Sequence, residues 1–319
     1  MAPAWTRHLP PGLDPSSVDL TAAGSLPAAW ARIWAAAPDH PVIHDGTRWT
    51  TAGELDERTR RTAEHYARAG LEAGDRIVVS AAASLDLIVA HVAALRAGLV
   101  VVPVNSAYRA REVAQIAHDC APKAAVVDHR SFGEWVDDAS ANDVVIWTPS
   151  DVADPSPPSL RISASGGRDS STLDASAPSD DAMLCYTSGT TGTPKGARLT
   201  HGNILASPEA LRIAWRWTAD DRLVLALPLF HVHGLGIGLH GSLLVGASLV
   251  LVPRFEPDAV FDAARDHHAT MFFGVPTMYD RLAASPRSPE LASLRLCVSG
   301  SAPLPPPLFT KLRLSLIHI

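Results

Sequence analysis

The sequence predicts an α/β protein built from two α/β subdomains in a double-layered arrangement. Apolar runs with the length of buried strands alternate with helix-period stretches along most of the chain. Runs such as Leu99-Val100-Val101-Val102 carry no polar alternation, so they need cover on both faces, as parallel strands flanked by helices have. A serine- and proline-rich stretch interrupts the alternation near the middle and resumes none of its apolar content until Ala182.

The elements follow in order. Ser25 is a helix cap, and the helix behind it runs through Ala37. Val42 to His44 and Arg48 to Thr50 flank an Asp-Gly pair, the signature of a hairpin. Thr51 and Glu54 have capping-box spacing for a helix that Gly70 stops. Next come strand Arg76–Ser80, helix Leu85–Ala97, strand Val100–Val104, helix Ala110–Cys120, and strands Ala124–Val127 and Val144–Trp147. Fourteen of the 32 residues from Pro149 to Asp180 are Ser or Pro, which reads as a linker or long surface loop. Beyond it lie strand Ala182–Tyr186, a polar loop, helix Gly202–Trp217, strand Leu223–Leu227 and helix Val232–Leu244. Strand Leu249–Val252, helix Asp258–His268, strand Met271–Gly274, helix Thr277–Ala284 and strand Arg295–Val298 complete the series. The expected organisation is an N-terminal arm (1–24), a first subdomain (25–148), the linker (149–180) and a second subdomain (181–312).

Composition narrows the function. The net charge is -6, so there is no basic footprint for nucleic acid. Cys120, Cys185 and Cys297 lie far apart with no metal-ligand or CxxC spacing, as reduced core residues of a cytoplasmic protein would, and no metal-ligating set is expected. The opening MAPAWTRHLPPGLDP lacks the apolar core of a signal peptide. Val232 to Pro253 is free of charge, but its five glycines and the Gly246-Ala247-Ser248 break favour a buried helix, turn and strand over a span of ~20 apolar residues.

One string carries chemistry. An apolar strand ends at Tyr186, and Thr187-Ser188-Gly189-Thr190-Thr191-Gly192-Thr193-Pro194-Lys195-Gly196 follows. Glycines let backbone N–H groups approach an anion, hydroxyls add donors, and lysine adds a mobile cation. A helix following the string would add its N-terminal dipole. Only three lysines occur among the 27 basic residues, and one of them is here. Proline before Lys195 and glycine after it exclude the common P-loop spacing. On composition alone, a flexible surface loop remains the alternative.

Those eleven residues from Tyr186 to Gly196 resemble the signature of the adenylate-forming superfamily of acyl-CoA synthetases, peptide-synthetase adenylation domains and luciferases. Leu95-Arg96-Ala97-Gly98 through Pro103-Val104-Asn105 and Tyr108, Leu227-Pro228-Leu229-Phe230-His231-Val232-His233-Gly234, Gly274-Val275-Pro276-Thr277-Met278-Tyr279 and Ser299-Gly300-Ser301-Ala302-Pro303-Leu304 are similar to further family motifs. The resemblance implies a two-step reaction: a carboxylate attacks the α-phosphorus of ATP, giving acyl-AMP and pyrophosphate, and a thiol, usually of coenzyme A, then takes the acyl group. It implies that Thr187, Ser188, Gly189, Thr190, Thr191, Gly192 and Lys195, with Mg²⁺, hold the phosphates. It puts His231 at the acyl pocket near the α-phosphate, and Gly300, Ser301, Ala302 and Pro303 along the adenine. His233 and His240 receive no role.

The strings around His231 and Gly274 to Arg281 are most similar to malonyl-CoA and methylmalonyl-CoA synthetases, which implies that Arg281 grips a second carboxylate. Guanidinium suits that task because it donates two parallel hydrogen bonds. Thr277 lies one helical turn before Arg281 and shares its face. Arg254 is a rival, and a surface arginine paired with a nearby acid is the structural alternative for Arg281. The family's large domain is expected to continue beyond this sequence, with a ribose-binding aspartate, a hinge and a small C-terminal domain bearing a lysine. Lys311 does not sit in that lysine's motif. Arg313 to Ile319 resemble nothing expected there and read as a non-native tail. The chain alone is expected to have little ligase activity. The competing readings are an adenylation domain for another acid and an inactive ATP-binding fragment. The stretch after His231 offers no acid for a substrate ammonium, which disfavours amino acids.

Overall fold

The computed structural model describes residues 9–153, 173–187 and 194–315. Two compact units divide the chain, one formed by residues 23–39 and 52–205, the other by 1–22, 40–51 and 206–319.

The first unit is a six-stranded sheet. Its strands are β3 (Arg76–Ser80), β4 (Val100–Pro103), β5 (Ala124–Val127), β6 (Val145–Trp147), β7 (Asp181–Thr187) and β8 (Lys195–Thr200), in the order β6-β5-β3-β4-β7-β8. All neighbours are parallel except β7 and β8, which form an antiparallel hairpin. Helix α1 (Leu26–Ala36) starts at Ser25, whose hydroxyl accepts from the Ala28 N–H, and α2 (Ala52–Arg68) starts directly after the strand ending at Thr51. Helix α3 (Leu85–Arg96) is buried on every face, which explains a sequence apolar all round. Helix α4 (Ala110–Cys120) packs Val113, Ile116 and Ala117 on the sheet, in one cluster with Val78, Val102 and Ala125.

The second unit is also a six-stranded sheet. Its strands are β1 (Pro41–His44), β2 (Trp49–Thr51), β9 (Arg222–Leu225), β10 (Ser248–Leu251), β11 (Met271–Gly274) and β12 (Leu296–Ser299), in the order β12-β11-β9-β10-β1-β2. Only the β1–β2 hairpin is antiparallel. Helices α9 (Pro257–Asp266), α10 (Pro276–Ala284) and α11 (Pro306–Ser315) contribute to a core built on Val224, Val250, Phe261, Phe272, Tyr279 and Leu282. Tyr279 ties two strands to α10, its hydroxyl shared between the Phe272 carbonyl at 3.0 Å and the Val298 carbonyl at 2.9 Å.

The α/β class is as expected, but the division into subdomains is not. The hairpin at 41–51 belongs to the second sheet because β1 aligns parallel with β10, pairing Ile43 with Leu249. The strands after the serine-rich stretch belong to the first sheet because β7 pairs with β4, Val101 opposite Met183. Pairing between distant segments decides both, and composition carries no record of it. The ends of the expected linker are structured as well. Pro149–Ala153 forms a short helix, α6, with Val152 fully buried and its carbonyl accepting from Thr62 Oγ1 at 2.7 Å. Asp174 is fastened to Arg96. A further helix, α5 (Arg130–Ala139), was not expected between β5 and β6. Glycine lowers its helix propensity, yet Gly133 is what lets it lie on β6: a Cβ there would fall 2.6 Å from Ile146 Cγ2.

Candidate active site

The phosphate-loop candidate is the tip of the β7–β8 hairpin. Tyr186 pairs with Gly196 and Thr187 with Lys195. This is the carboxyl end of β7, a strand parallel to β4, and crevices at such ends are where α/β sheets bind ligands. Ser188, Gly189, Thr190, Thr191 and Gly192 lie outside the described residues. Thr187 and Lys195 are both exposed and, among the described residues, neither side chain has a hydrogen-bond or ion-pair partner. The expected strand-to-helix junction is corrected: Lys195 opens a strand, and helix α7 (His201–Trp215) begins only after it. From Lys195 the chain runs antiparallel to β7 in the same sheet, and the next helix starts only at His201.

Local packing explains the residues at the tip. A Cβ at position 196 would lie 2.9 Å from Leu184 Cδ1 and 3.1 Å from Tyr186 Cζ, so glycine follows the lysine because the tyrosine ring crosses the hairpin. The Tyr186 hydroxyl donates to Asp119 on α4. Burial pushes that phenol's pKa up, and the hydrogen bond and charge of Asp119 push it further, so it stays protonated. A cavity of about 270 Å³ opens beside the tip, lined by Tyr108, Arg111, Gln115, Tyr186, Thr187 and Pro194 among others.

The remaining candidates lie in the second unit. His231 is exposed, its ring 4.3 Å from that of Phe230, and its surroundings push its pKa down by desolvation, which favours the neutral imidazole. Just beyond it, His233–Leu239 forms a π-helical turn that leads into helix α8 (His240–Val245). Gly234 lets that turn lie against the preceding loop: a Cβ there would come 2.4 Å from the Pro228 carbonyl oxygen.

Gly300 to Pro303 follow β12. Gly300 donates to the Gly274 carbonyl at 3.1 Å, and Ser301, Ala302 and Pro303 are exposed. Gly300 is small for a reason sequence alone did not reveal: a Cβ there would lie 2.8 Å from His233 Cε1.

Thr277 and Arg281 share an exposed face of α10. Arg281 is half exposed and already engaged, its guanidinium donating to Glu256 at 2.8 Å and lying 5.0 Å from the Phe255 ring centre. The rival Arg254 reaches the same Glu256 at 3.8 Å. Both expected anion binders thus converge on one internal carboxylate. Among the described residues, no three His, Cys, Asp or Glu side chains gather as a metal site.

Residues 30–318 match the AMP-binding enzyme family. The chain belongs to that family. It is 35% identical over 287 residues to a feruloyl-CoA synthase of an Amycolatopsis species, covering 88% of this chain and 55% of that protein. It is 33% identical over 275 residues to a 4-hydroxybenzoate--CoA/benzoate--CoA ligase of Rhodopseudomonas palustris, covering 82% and 49%. Against the human mitochondrial malonate--CoA ligase ACSF3 it is 40% identical over 146 residues, 41% of this chain and 25% of that one. Its fold matches the crystal structure of apo MatB from Rhodopseudomonas palustris with a TM-score of 0.77 at 29% identity, covering 92% of this chain and 58% of that structure. The chain spans about half the length of the curated relatives it matches.

Three residues beside the candidates are not marked by the sequence pattern: Tyr186, which meets Asp119, His233, which meets Ser301, and Glu256, which meets Arg281. The nearest to a signal is the spacing of His233, two residues after His231 on the same loop. No signal existed for Glu256, whose meeting with Arg281 spans 25 positions and depends on how α9 and α10 pack. Among the described residues, no helix is long and apolar enough to cross a membrane.

Proposed function

We propose that this chain is the nucleotide- and acid-binding part of an ATP-dependent acid–CoA ligase. The reading is carried by Thr187 facing Lys195 at the mouth of the Tyr186–Gly196 hairpin, at the carboxyl end of a parallel strand. The acid's carboxylate oxygen bonds to the α-phosphorus of ATP, the bond from that phosphorus to the bridging oxygen breaks, and pyrophosphate leaves with the electron pair. Lys195, Thr187 and the residues Ser188 to Gly192 hold the departing phosphates, where charge neutralisation lowers the barrier. Mg²⁺ carried by the phosphates would neutralise further charge. His231, neutral, stands by the acid and the α-phosphate, and Gly300 to Pro303 line the adenine. The thiol of coenzyme A takes the acyl group in the second step and releases AMP.

For the acid, the reading is malonate or methylmalonate, with Arg281 and Thr277 toward the second carboxylate. The His231-Val232-His233-Gly234 string and the fold likeness to MatB support it. An aromatic acid is the second reading. It is favoured by the ion pair that already occupies Arg281 and by the feruloyl-CoA synthase match over most of the chain. ATP–pyrophosphate exchange with malonate, methylmalonate, ferulate, benzoate and acetate tests both, run on this chain and on the chain extended by the remaining half of a relative. Exchange with malonate or methylmalonate above the other acids is expected. Preference for ferulate or benzoate selects the second reading, and absence of exchange with any acid in the extended form removes the ligase assignment.

A further inference from the structure

We infer that His233 is a positioning residue that sets the Gly300–Ser301 turn before a nucleotide base arrives. The inference rests on the reading of residues 300–303 as the base-lining segment. Its starting point is backbone strain: Ser301 sits at φ +66, a left-handed conformation disfavoured for a residue with a β-carbon. Something must hold it there. His233 Nδ1 lies 3.2 Å from Ser301 Oγ, within hydrogen-bonding distance. The same ring presses on the preceding residue, where only glycine leaves room for Cε1.

The imidazole is itself fixed from behind. It lies nearly parallel to the Phe273 ring, at 17° with 6.4 Å between centres. The π-helical turn that carries it is seated through its glycines: a Cβ at position 238 would lie 2.7 Å from Leu225 Cδ1. Phe273 is on β11 and Leu225 on β9, so two strands of the sheet locate the histidine, and the histidine locates the turn. Desolvation pushes its pKa down, so the ring is neutral at neutral pH and one nitrogen is free to accept. A base meeting a turn already set pays no ordering cost, which is how preorganisation raises affinity.

Titration calorimetry of the full chain with ATP and with inorganic tripolyphosphate separates base from phosphate binding. His233→Ala is expected to weaken ATP by about tenfold and leave tripolyphosphate unchanged. His233→Asn, whose amide can still reach Ser301, is expected to restore most of the loss. Hydrogen exchange at the amides of residues 300–302, measured without nucleotide, is expected to accelerate in His233→Ala and Ser301→Ala but not in His233→Asn. Equal losses for ATP and tripolyphosphate, unchanged ATP affinity, or unchanged exchange would overturn the inference alone. An unaltered chain that binds neither compound, or ATP no better than tripolyphosphate, removes the base-segment reading and the inference with it. Should His233→Ala fail to fold, Ser301→Ala, altered at an exposed position, carries the same comparison.

Discussion

Arg281 donates to Glu256 across 2.8 Å, so the cation expected to grip a substrate carboxylate already holds one from its own chain. Arg254 approaches the same carboxylate, at 3.8 Å. An anionic substrate must therefore either displace Glu256 or bind elsewhere. Both ion-pair partners are about half exposed, so the pair is weak enough to exchange. Glu256→Gln is expected to lower the KM for malonate several-fold in the extended enzyme, and Arg281→Ala to raise it by roughly tenfold or more, with benzoate unaffected by either. If malonate and benzoate constants move together, Arg281 is a surface residue and the dicarboxylate reading falls.

Lys195 opens β8 opposite Thr187 and is free of partners among the described residues. Among the described residues its ammonium has no ion pair to break before it meets a phosphate. Lys195→Ala is expected to reduce the rate of pyrophosphate exchange by about a hundredfold, the scale seen when one charge-stabilising group is lost. Lys195→Arg should recover little of it, because a planar guanidinium does not replace a compact, mobile ammonium. Parallel rates in wild type and Lys195→Ala would move phosphate binding away from this hairpin.

Local pattern made most of the elements legible. Ser25 announced the helix it caps, and Leu99 to Val102 announced a strand covered on both faces. The hairpin at Asp45-Gly46 was visible too, but not the sheet it joins, because strand partnership is a long-range property. The same limit explains β8. Lys195-Gly196-Ala197-Arg198 carries no strand alternation, and it is extended only because it pairs with Asp181–Thr187. Gly196 and Gly300 were legible as small residues of a binding string. What they make room for, the rings of Tyr186 and His233, is set by tertiary packing that the string itself does not encode.

Arg96 shows how firmly the far end of the serine-rich stretch is fastened. Only 3% exposed, it donates to Asp174 through two nitrogens at 2.9 and 2.8 Å and also reaches Asp56 at 2.7 Å. The Asp174 N–H in turn donates to the Arg96 carbonyl at 3.0 Å. Removing one partner of a buried pair strands the other charge. Asp174→Ala is therefore expected to destabilise the first unit by about 3 kcal/mol, the low end for such losses because Asp56 remains. Urea denaturation followed by tryptophan fluorescence measures it, with Trp34 lying 5.5 Å from the Arg96 guanidinium. A change below ~0.5 kcal/mol would mean that residues 173–180 are a loose linker after all.

Asp221 carries the pH prediction for the second unit. Burial pushes its carboxyl pKa up, but Arg295, the Thr218 N–H and the Thr270 hydroxyl all donate to it and together hold it below the usual value of 3.8. Arg295 Nε is 2.6 Å away, and Thr270 Oγ1 2.8 Å. A carboxyl whose folded pKa is depressed contributes stability that is whole above the unfolded pKa and is lost as pH falls through the folded one. That contribution should thus be intact from neutral pH down to about 4 and decline only below it. Asp221→Asn is expected to cost ~2 kcal/mol at pH 7, less than a fully buried pair because Arg295 keeps contact with water. The deficit should shrink as the pH drops below 4, where the wild-type carboxylate is itself protonated. Urea midpoints of the two proteins from pH 3 to 7 provide the check: a deficit that stays constant across that range would show that the carboxylate's charge contributes nothing to holding β9 against the strands beside it.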